Sequence, residues 1–225
     1  MRIDIITAVP KVFGGFFNQS VIGKAIKNGL AEINIIDLRD FSEGKYRQID
    51  DSPYGGGAGM ILMPKPLHLA IASCFKERTY DEVIFFVPEG EKLDQETVNH
   101  YSVQKNILIV CGHYKGIDQR IVDAYSTKLI SIGDFVVTGG EIPAALFTDA
   151  VIRVLPGAIG NEISALEDSF QDSLLSPPVY TRPPEYLGLK VPEVLLSGDH
   201  KKILNWKLEK AVDKTKKYRP DLLKD

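Results

Sequence analysis

Several short segments hold the residue types that chemistry needs. The first, YGGGAGM at 54–60, follows the polar QIDDSP and places four glycines within five residues, with Asp50 and Asp51 nearby as acceptors. Main chain this bare lets a planar or anionic group approach closely, although a tight surface turn would use the same residues. It does not read as a nucleotide phosphate loop: no apolar strand leads into it, no Lys-Ser/Thr follows, and Met60 stands where GxGxxG requires glycine. Three further glycine-bearing segments each end an apolar run: VPEG at 87–90, CGHYKGID at 111–118 and SIGDFVVTGGEIP at 131–143. In an open α/β sheet, ligands sit beyond the carboxyl ends of the strands, so three successive loops of this kind imply one shared small-molecule pocket.

Other residues carry competing chemistries. Cys111 and His113 offer a nucleophile and a base, which would make a cysteine-dependent hydrolase. With one residue between them their side chains need not meet, and a cysteine ending an apolar strand reads as core. His68, His100 and His200 show no metal-ligand spacing. Tyr180, in YTRPP, and Trp206 present flat surfaces to a nucleobase or pack a small core. Glu167 and Asp168 form a carboxylate pair in a stretch without periodicity, where solvated acids are the default. Arg153 interrupts the apolar AVIRVLPG, and a charge there calls for a partner.

Elements to position these residues are legible in the pattern. Nearly continuous apolar runs predict strands over 3–8, 32–38, 82–87, 106–111 and 128–132, buried on both faces as in a parallel sheet. Helical patterns lie between them, near 11–28, 64–79, 94–104, 117–126 and 141–154, giving an α/β domain. The segment 156–192 loses periodicity, and Pro177, Pro178, Pro183 and Pro184 preclude regular helix or central strand there. A C-terminal helix follows 197–200, with Ile203, Leu204, Leu208, Ala211 and Val212 on one apolar face. The sequence has 225 residues, ordinary for one large domain with a small appendage. Its longest apolar runs are far short of a membrane span, and the N-terminus lacks the apolar middle of a secretory signal. Two cysteines without CxxC spacing suggest neither a disulfide framework nor zinc, so the cytoplasm is expected. Net charge is -3, yet residues 201–219 hold eight Lys/Arg against two acids. That asymmetry suits a polyanionic partner for the C-terminal end, and an RNA-binding module without catalysis would share it.

Taken in order along nearly the whole chain, IDDSPYGGGAGM, LDQ, CGHYKGID, SIGDFVVTGGEIPA, EDSF, PPVYTRP and VPEVLLSG resemble the bacterial tRNA (guanine-37-N1)-methyltransferases of the SPOUT class. Spacing alone predicts an ordinary doubly wound sheet, since knots are rare. The resemblance instead implies a deep trefoil knot between about 83 and 145, within a mostly parallel α/β domain over 1–156. It also implies a linker over 157–192 with the catalytic aspartate and a small helical tRNA-binding domain over 193–225. It implies methyl transfer from S-adenosyl-L-methionine to N1 of the guanine 3′ of the anticodon. Asp168 would be the general base and Arg153 its partner, and Asp50, Gly59 and Met60 would meet the guanine. Cofactor contacts fall on Val87, Pro88, Glu89 and Gly90, then Gly112, Tyr114 and Gly116. They continue through Ser131, Ile132, Gly133, Asp134, Phe135, Val136 and Val137 to Gly139, Gly140 and Pro143. A β-branched residue at Gly140 is expected to block this pocket and leave the fold intact. Lys207, Lys210 and Lys214 would engage tRNA phosphates, and a homodimer would complete each site. Many relatives have an acidic residue where this chain has Lys115; a protonated amine cannot ligate a hard cation, so reduced dependence on Mg2+ is expected.

Overall fold

A computed structural model describes residues 1–160 and 168–223; Glu167 of the predicted carboxylate pair lies outside them. In chain order the strands are β1 (Arg2–Thr7), β2 (Glu32–Asp37), β3 (Asp50–Asp51), β4 (Ile61–Leu62), β5 (Glu82–Lys92), β6 (Asn106–Val110), β7 (Lys128–Ser131), β8 (Glu185–Tyr186) and β9 (Leu189–Lys190). The helices are α1 (Ser20–Lys27), α2 (Pro64–Glu77), α3 (Gln95–Ser102), α4 (Gln119–Tyr125), α5 (Glu141–Arg153), α6 (Glu193–Leu196) and α7 (His200–Tyr218). The chain divides into two compact units, Met1–Gly160 and Asn161–Asp225.

The first unit is built on a five-stranded sheet ordered β2-β1-β6-β5-β7, with every neighbouring pair parallel. Side chains alternate across it, and both faces are covered. Ile3, Ile5, Ile107 and Ile109 pack with Ala25 of α1, Tyr101 of α3 and Phe147 of α5. Leu108, Val110, Val83 and Phe85 point the other way, to Leu67 and Ile71 of α2 and Ile121 of α4. Burial on both faces is why these strands read as continuous apolar runs. Among the described residues two carboxylates are buried in this unit, Asp4 and Glu141; Asp4, 1% exposed, accepts hydrogen bonds from Arg2, from Asn34 at 2.9 Å and from Tyr80 at 2.6 Å. Burial alone would raise its pKa; the bonds from Arg2, Tyr80 and Asn34 outweigh it and hold the carboxyl below its ordinary value.

Three expectations are corrected. The helix predicted over 11–28 is a 3-10 turn, Pro10–Phe13, followed by α1, because Gly15 adopts φ +84 and interrupts the path. VPEG is not a loop beyond a strand but an irregularity inside β5, where the register against β7 shifts between Phe86 and Glu91. In the second unit α7 is capped by Asp199, whose carboxylate accepts from the Lys202 N–H at 3.1 Å. The face it buries is only partly the predicted one: Ala211 is 6% exposed as expected, but Thr215, outside the prediction, is 0% exposed, whereas Leu204 and Leu208 are 63% and 59% exposed. A short hairpin, β8 to β9, turns through Leu187 and Gly188, both at positive φ, as a two-residue hairpin turn requires.

Candidate active site

At the carboxyl ends of β5, β6 and β7 lies a cavity of about 380 Å³, within the range of small-molecule sites. Most of its wall is loop, joined by Gln119 and Val122 of α4 and Pro143 of α5. The β6 loop contributes Gly112, Tyr114 and Gly116, and the β5 irregularity contributes Val87, Pro88 and Glu89. The stretch from the end of β7 into α5 contributes Ser131, Ile132, Gly133, Phe135, Val136 and Val137, then Gly139, Gly140 and Pro143. Of the expected cofactor contacts, Gly90 and Asp134 are not on the wall. Gly90 instead packs against β7, where a Cβ would fall 2.5 Å from the Ile130 main chain; Asp134 is exposed.

Close packing between main chains holds the walls together. The Gly140 N–H donates to the Gly112 carbonyl at 2.7 Å, and His113 forms a β-bridge with Gly139. A Cβ on Gly140 would meet Cys111 Cα and Gly112 N at 2.8 Å. The expectation for Gly140 is therefore overturned: a side chain there pushes one wall off the other and damages the fold, rather than filling the pocket. Cys111 is 1% exposed, and burial, with Glu141 nearby, holds its thiol pKa well above the ordinary value. A thiol so protonated is a poor nucleophile, which removes the structural basis for a cysteine hydrolase.

The glycine-rich segment borders this cavity without lining it. Asp50 pairs across β3 and β4 with Leu62. The Lys115 N–H donates to the Met60 carbonyl at 3.0 Å, and Gly59, at φ +100, lies under the Lys115 stem, so that a Cβ would fall 2.6 Å from Lys115 Cγ. Sequence reasoning singled out Lys115 for its charge and His113 as a candidate base but put neither among the cofactor contacts, and both are on the wall. The signal was present, since both lie inside CGHYKGID, between glycines already assigned to the wall. Arg153 is an exposed side chain ending α5, where a cation suits the helix dipole.

Asp168 belongs to the second unit and opens a turn tied to α7. Ser169 and Ser176 hydroxyls meet at 2.8 Å, and the Phe170 N–H donates to the Leu174 carbonyl at 2.8 Å. The turn is anchored twice: the Leu175 N–H donates to Thr215 Oγ1 at 2.8 Å, and Lys214 Nζ donates to the Ser176 carbonyl at 2.9 Å. Lys214 thus has a structural bond, and Lys210 pairs with Asp213 at 3.3 Å and Glu209 at 3.5 Å; Lys207 lies on the same helix. Tyr180 and Trp206 pack with ring centroids 6.4 Å apart. Among the described residues no three His, Cys, Asp or Glu side chains gather to hold a metal ion, and no helix is long and apolar enough to cross a membrane.

Comparison with known proteins agrees over the full length. Residues 1–225 match the family model described as tRNA (Guanine-1)-methyltransferase TrmD. The chain is 54% identical over 225 residues to a tRNA (guanine-N(1)-)-methyltransferase of Bacteroides fragilis, covering 100% of both. It is 53% identical to the enzyme of that name from Christiangramia forsetii and 50% to that of Flavobacterium johnsoniae, again over 225 residues and 100% of each chain. A glycine-walled pocket at the ends of three parallel strands, in a chain that matches end to end, leads to one conclusion: the chain belongs to the tRNA (guanine-1)-methyltransferase family TrmD.

Proposed function

We propose that this enzyme transfers the methyl group of S-adenosyl-L-methionine to N1 of guanine 37 of tRNA, beside the anticodon. The main-chain pocket at the ends of β5, β6 and β7 carries the reading. Adenosine suits it, because bare backbone lets a flat ring approach and peptide groups can read its edge without a phosphate loop. S-adenosylmethionine supplies an electrophilic methyl on a sulfonium, and displacement leaves a neutral thioether.

Guanine N1 bears a proton and becomes a competent nucleophile as that proton leaves. Asp168 is the general base in this reading, and Arg153 orients it or balances charge that builds on the guanine oxygen. The ordered turn from 168 to 176 supports this role, since a base must be held in place to act. Asp50, Gly59 and Met60 receive the guanine, and the loop pairing through Lys115 puts that segment at the rim of the cavity. Lys115 can neutralise the methionine carboxylate, whereas its ammonium does not fit a magnesium site.

The reading also includes a homodimer in which one chain binds S-adenosylmethionine and the other contributes Asp168. Exposed apolar residues support it: Phe135 and Val136 at the cavity are 61% and 95% exposed, and Ile142 and Leu146, one turn apart on α5, are 54% and 45% exposed. Water is a poor cover for such a surface, and a symmetric partner is a good one. A trefoil knot over 83–145 is supported by the close passes of Gly90 on Ile130 and Gly140 on Cys111. The domain roles remain 1–156 for the methyl donor, 157–192 for the base and 193–225 for tRNA, in the cytoplasm.

Incubation with labelled S-adenosylmethionine and bulk tRNA, followed by nucleoside analysis, tests the reading. Label in 1-methylguanosine at position 37 is the expected result. Label at another RNA position would move the enzyme to a different substrate within the SPOUT class, and unlabelled RNA would overturn the proposal.

A further inference from the structure

Behind the cavity wall lies a charged group that the proposed chemistry leaves unused. Glu141 opens α5 yet is 3% exposed, and a carboxylate so deep needs bonded partners. Its Oε1 accepts the Thr7 hydroxyl at 2.7 Å, and that hydroxyl accepts the Val9 N–H at 3.0 Å. Its Oε2 lies 3.5 Å from Nδ1 of His113. That nitrogen is itself buried without a hydrogen-bond partner. Gly139 sits at the junction: a Cβ there would fall 2.3 Å from Glu141 Oε2 and 2.7 Å from His113 Nδ1. Its lack of a side chain is what lets imidazole and carboxylate approach.

A buried imidazole nitrogen stopped just short of a buried carboxylate is an unfinished bond. Charge-assisted hydrogen bonds close to about 2.7–2.9 Å, and bonds in reaction sites are often long until the ligand is seated. His113 and Gly139 both line the cavity, on loops already joined by a bridge. Thr7 fixes the carboxylate to β1, so movement of the imidazole toward Glu141 is movement toward the sheet. We propose that His113 is a positioning residue: as S-adenosylmethionine binds, Nδ1–H closes onto Glu141 and fixes the spacing of the two main-chain walls. This rests on the proposed methyl donor and adds a residue to its site.

Calorimetry with S-adenosylmethionine separates the two ideas. Failure of the unaltered protein to bind it would overturn the donor assignment itself. Given that binding, His113→Asn, which keeps an amide N–H near the place of Nδ1, should stay within about threefold in affinity, whereas His113→Gln, whose amide reaches the place of Nε2, should lose roughly 10- to 100-fold. In steady state the loss should fall on the KM for S-adenosylmethionine more than on kcat. Equal affinities for the two variants would overturn the positioning role: both normal would mean the bond is unused, and both weak would mean that ring packing matters instead. Thermal melting of both accompanies the titration, and a His113→Gln variant that fails to fold would make His113 a core residue and equally overturn the proposal.

Discussion

Replacing Thr215 by valine changes one buried atom and tests how Asp168 is held. The side chain is 0% exposed; its Oγ1 accepts the Leu175 N–H at 2.8 Å and donates to the Ala211 carbonyl at 2.7 Å. Valine fills the same volume, so no cavity term enters. The Ala211 carbonyl keeps its helical partner, and the bond back to it contributes little. The Leu175 N–H is left without an acceptor, at a cost of about 1–3 kcal/mol. We expect the lower half of that range, since the segment is only part-buried and Lys214 still holds the Ser176 carbonyl. About 1.4 kcal/mol is a tenfold change in the ratio of closed to open turn, which sets tenfold as the upper limit on the loss of closed population. Single-turnover methylation should therefore fall up to about tenfold, with S-adenosylmethionine affinity unchanged, and the melting temperature should drop by a few degrees. A normal rate in a variant that melts early would refute the link between this turn and the base; normal melting as well would refute the importance of the bond.

Three further outcomes are expected. Asp168→Ala should lose roughly 10²- to 10⁴-fold in single-turnover rate while still binding S-adenosylmethionine, as removal of a general base predicts; a near-normal rate would take Asp168 out of that role. Across a magnesium titration with prefolded tRNA, the unaltered enzyme should show a shallow rate dependence and Lys115→Glu a steeper one, and a steep saturable requirement in the unaltered enzyme would contradict the part given to Lys115. Asp4 has a depressed pKa when folded, so its contribution to stability is present above the unfolded value of about 3.9 and is lost as pH falls through the folded one. Asp4→Asn should lower urea stability at neutral pH and flatten its decline between about pH 5 and 3; parallel curves would assign that decline to other groups.

The sheet was legible because its strands bury both faces and so spell themselves in unbroken apolar residues. The pocket was legible too, since glycines gather where those strands end. What stayed hidden depends on contacts that no spacing encodes. Thr7 bonds Glu141 across 134 residues, and nothing local distinguishes either residue. The buried face of α7 was read only in part, Ala211 but not Thr215, because leucines define the periodicity while a threonine hydroxyl makes the contact. The extension of β5 to Lys92 was missed because Pro88 and Gly90 usually end a strand, yet here they occupy its irregular register with β7. Gly140 lines the cavity as expected, but its closeness to Cys111 and Gly112, which forbids a side chain there, was hidden.

The same glycines bear on inhibition. A small molecule that competes for this cavity would grip peptide groups, which no codon change alters. Escape from most inhibitors comes from exchanging the side chain that touches them. At Gly140, where a single methyl would fall 2.8 Å from main-chain atoms of Cys111 and Gly112, any such exchange strikes the fold before it strikes the drug. At Gly139 it would strike the Glu141 carboxylate and the His113 ring. Resistance would have to arise where side chains join the wall, as at Glu89, Tyr114, Lys115, Phe135 and Val136, or through a greater amount of enzyme. Compounds confined to the glycine walls would leave the fewest such routes open.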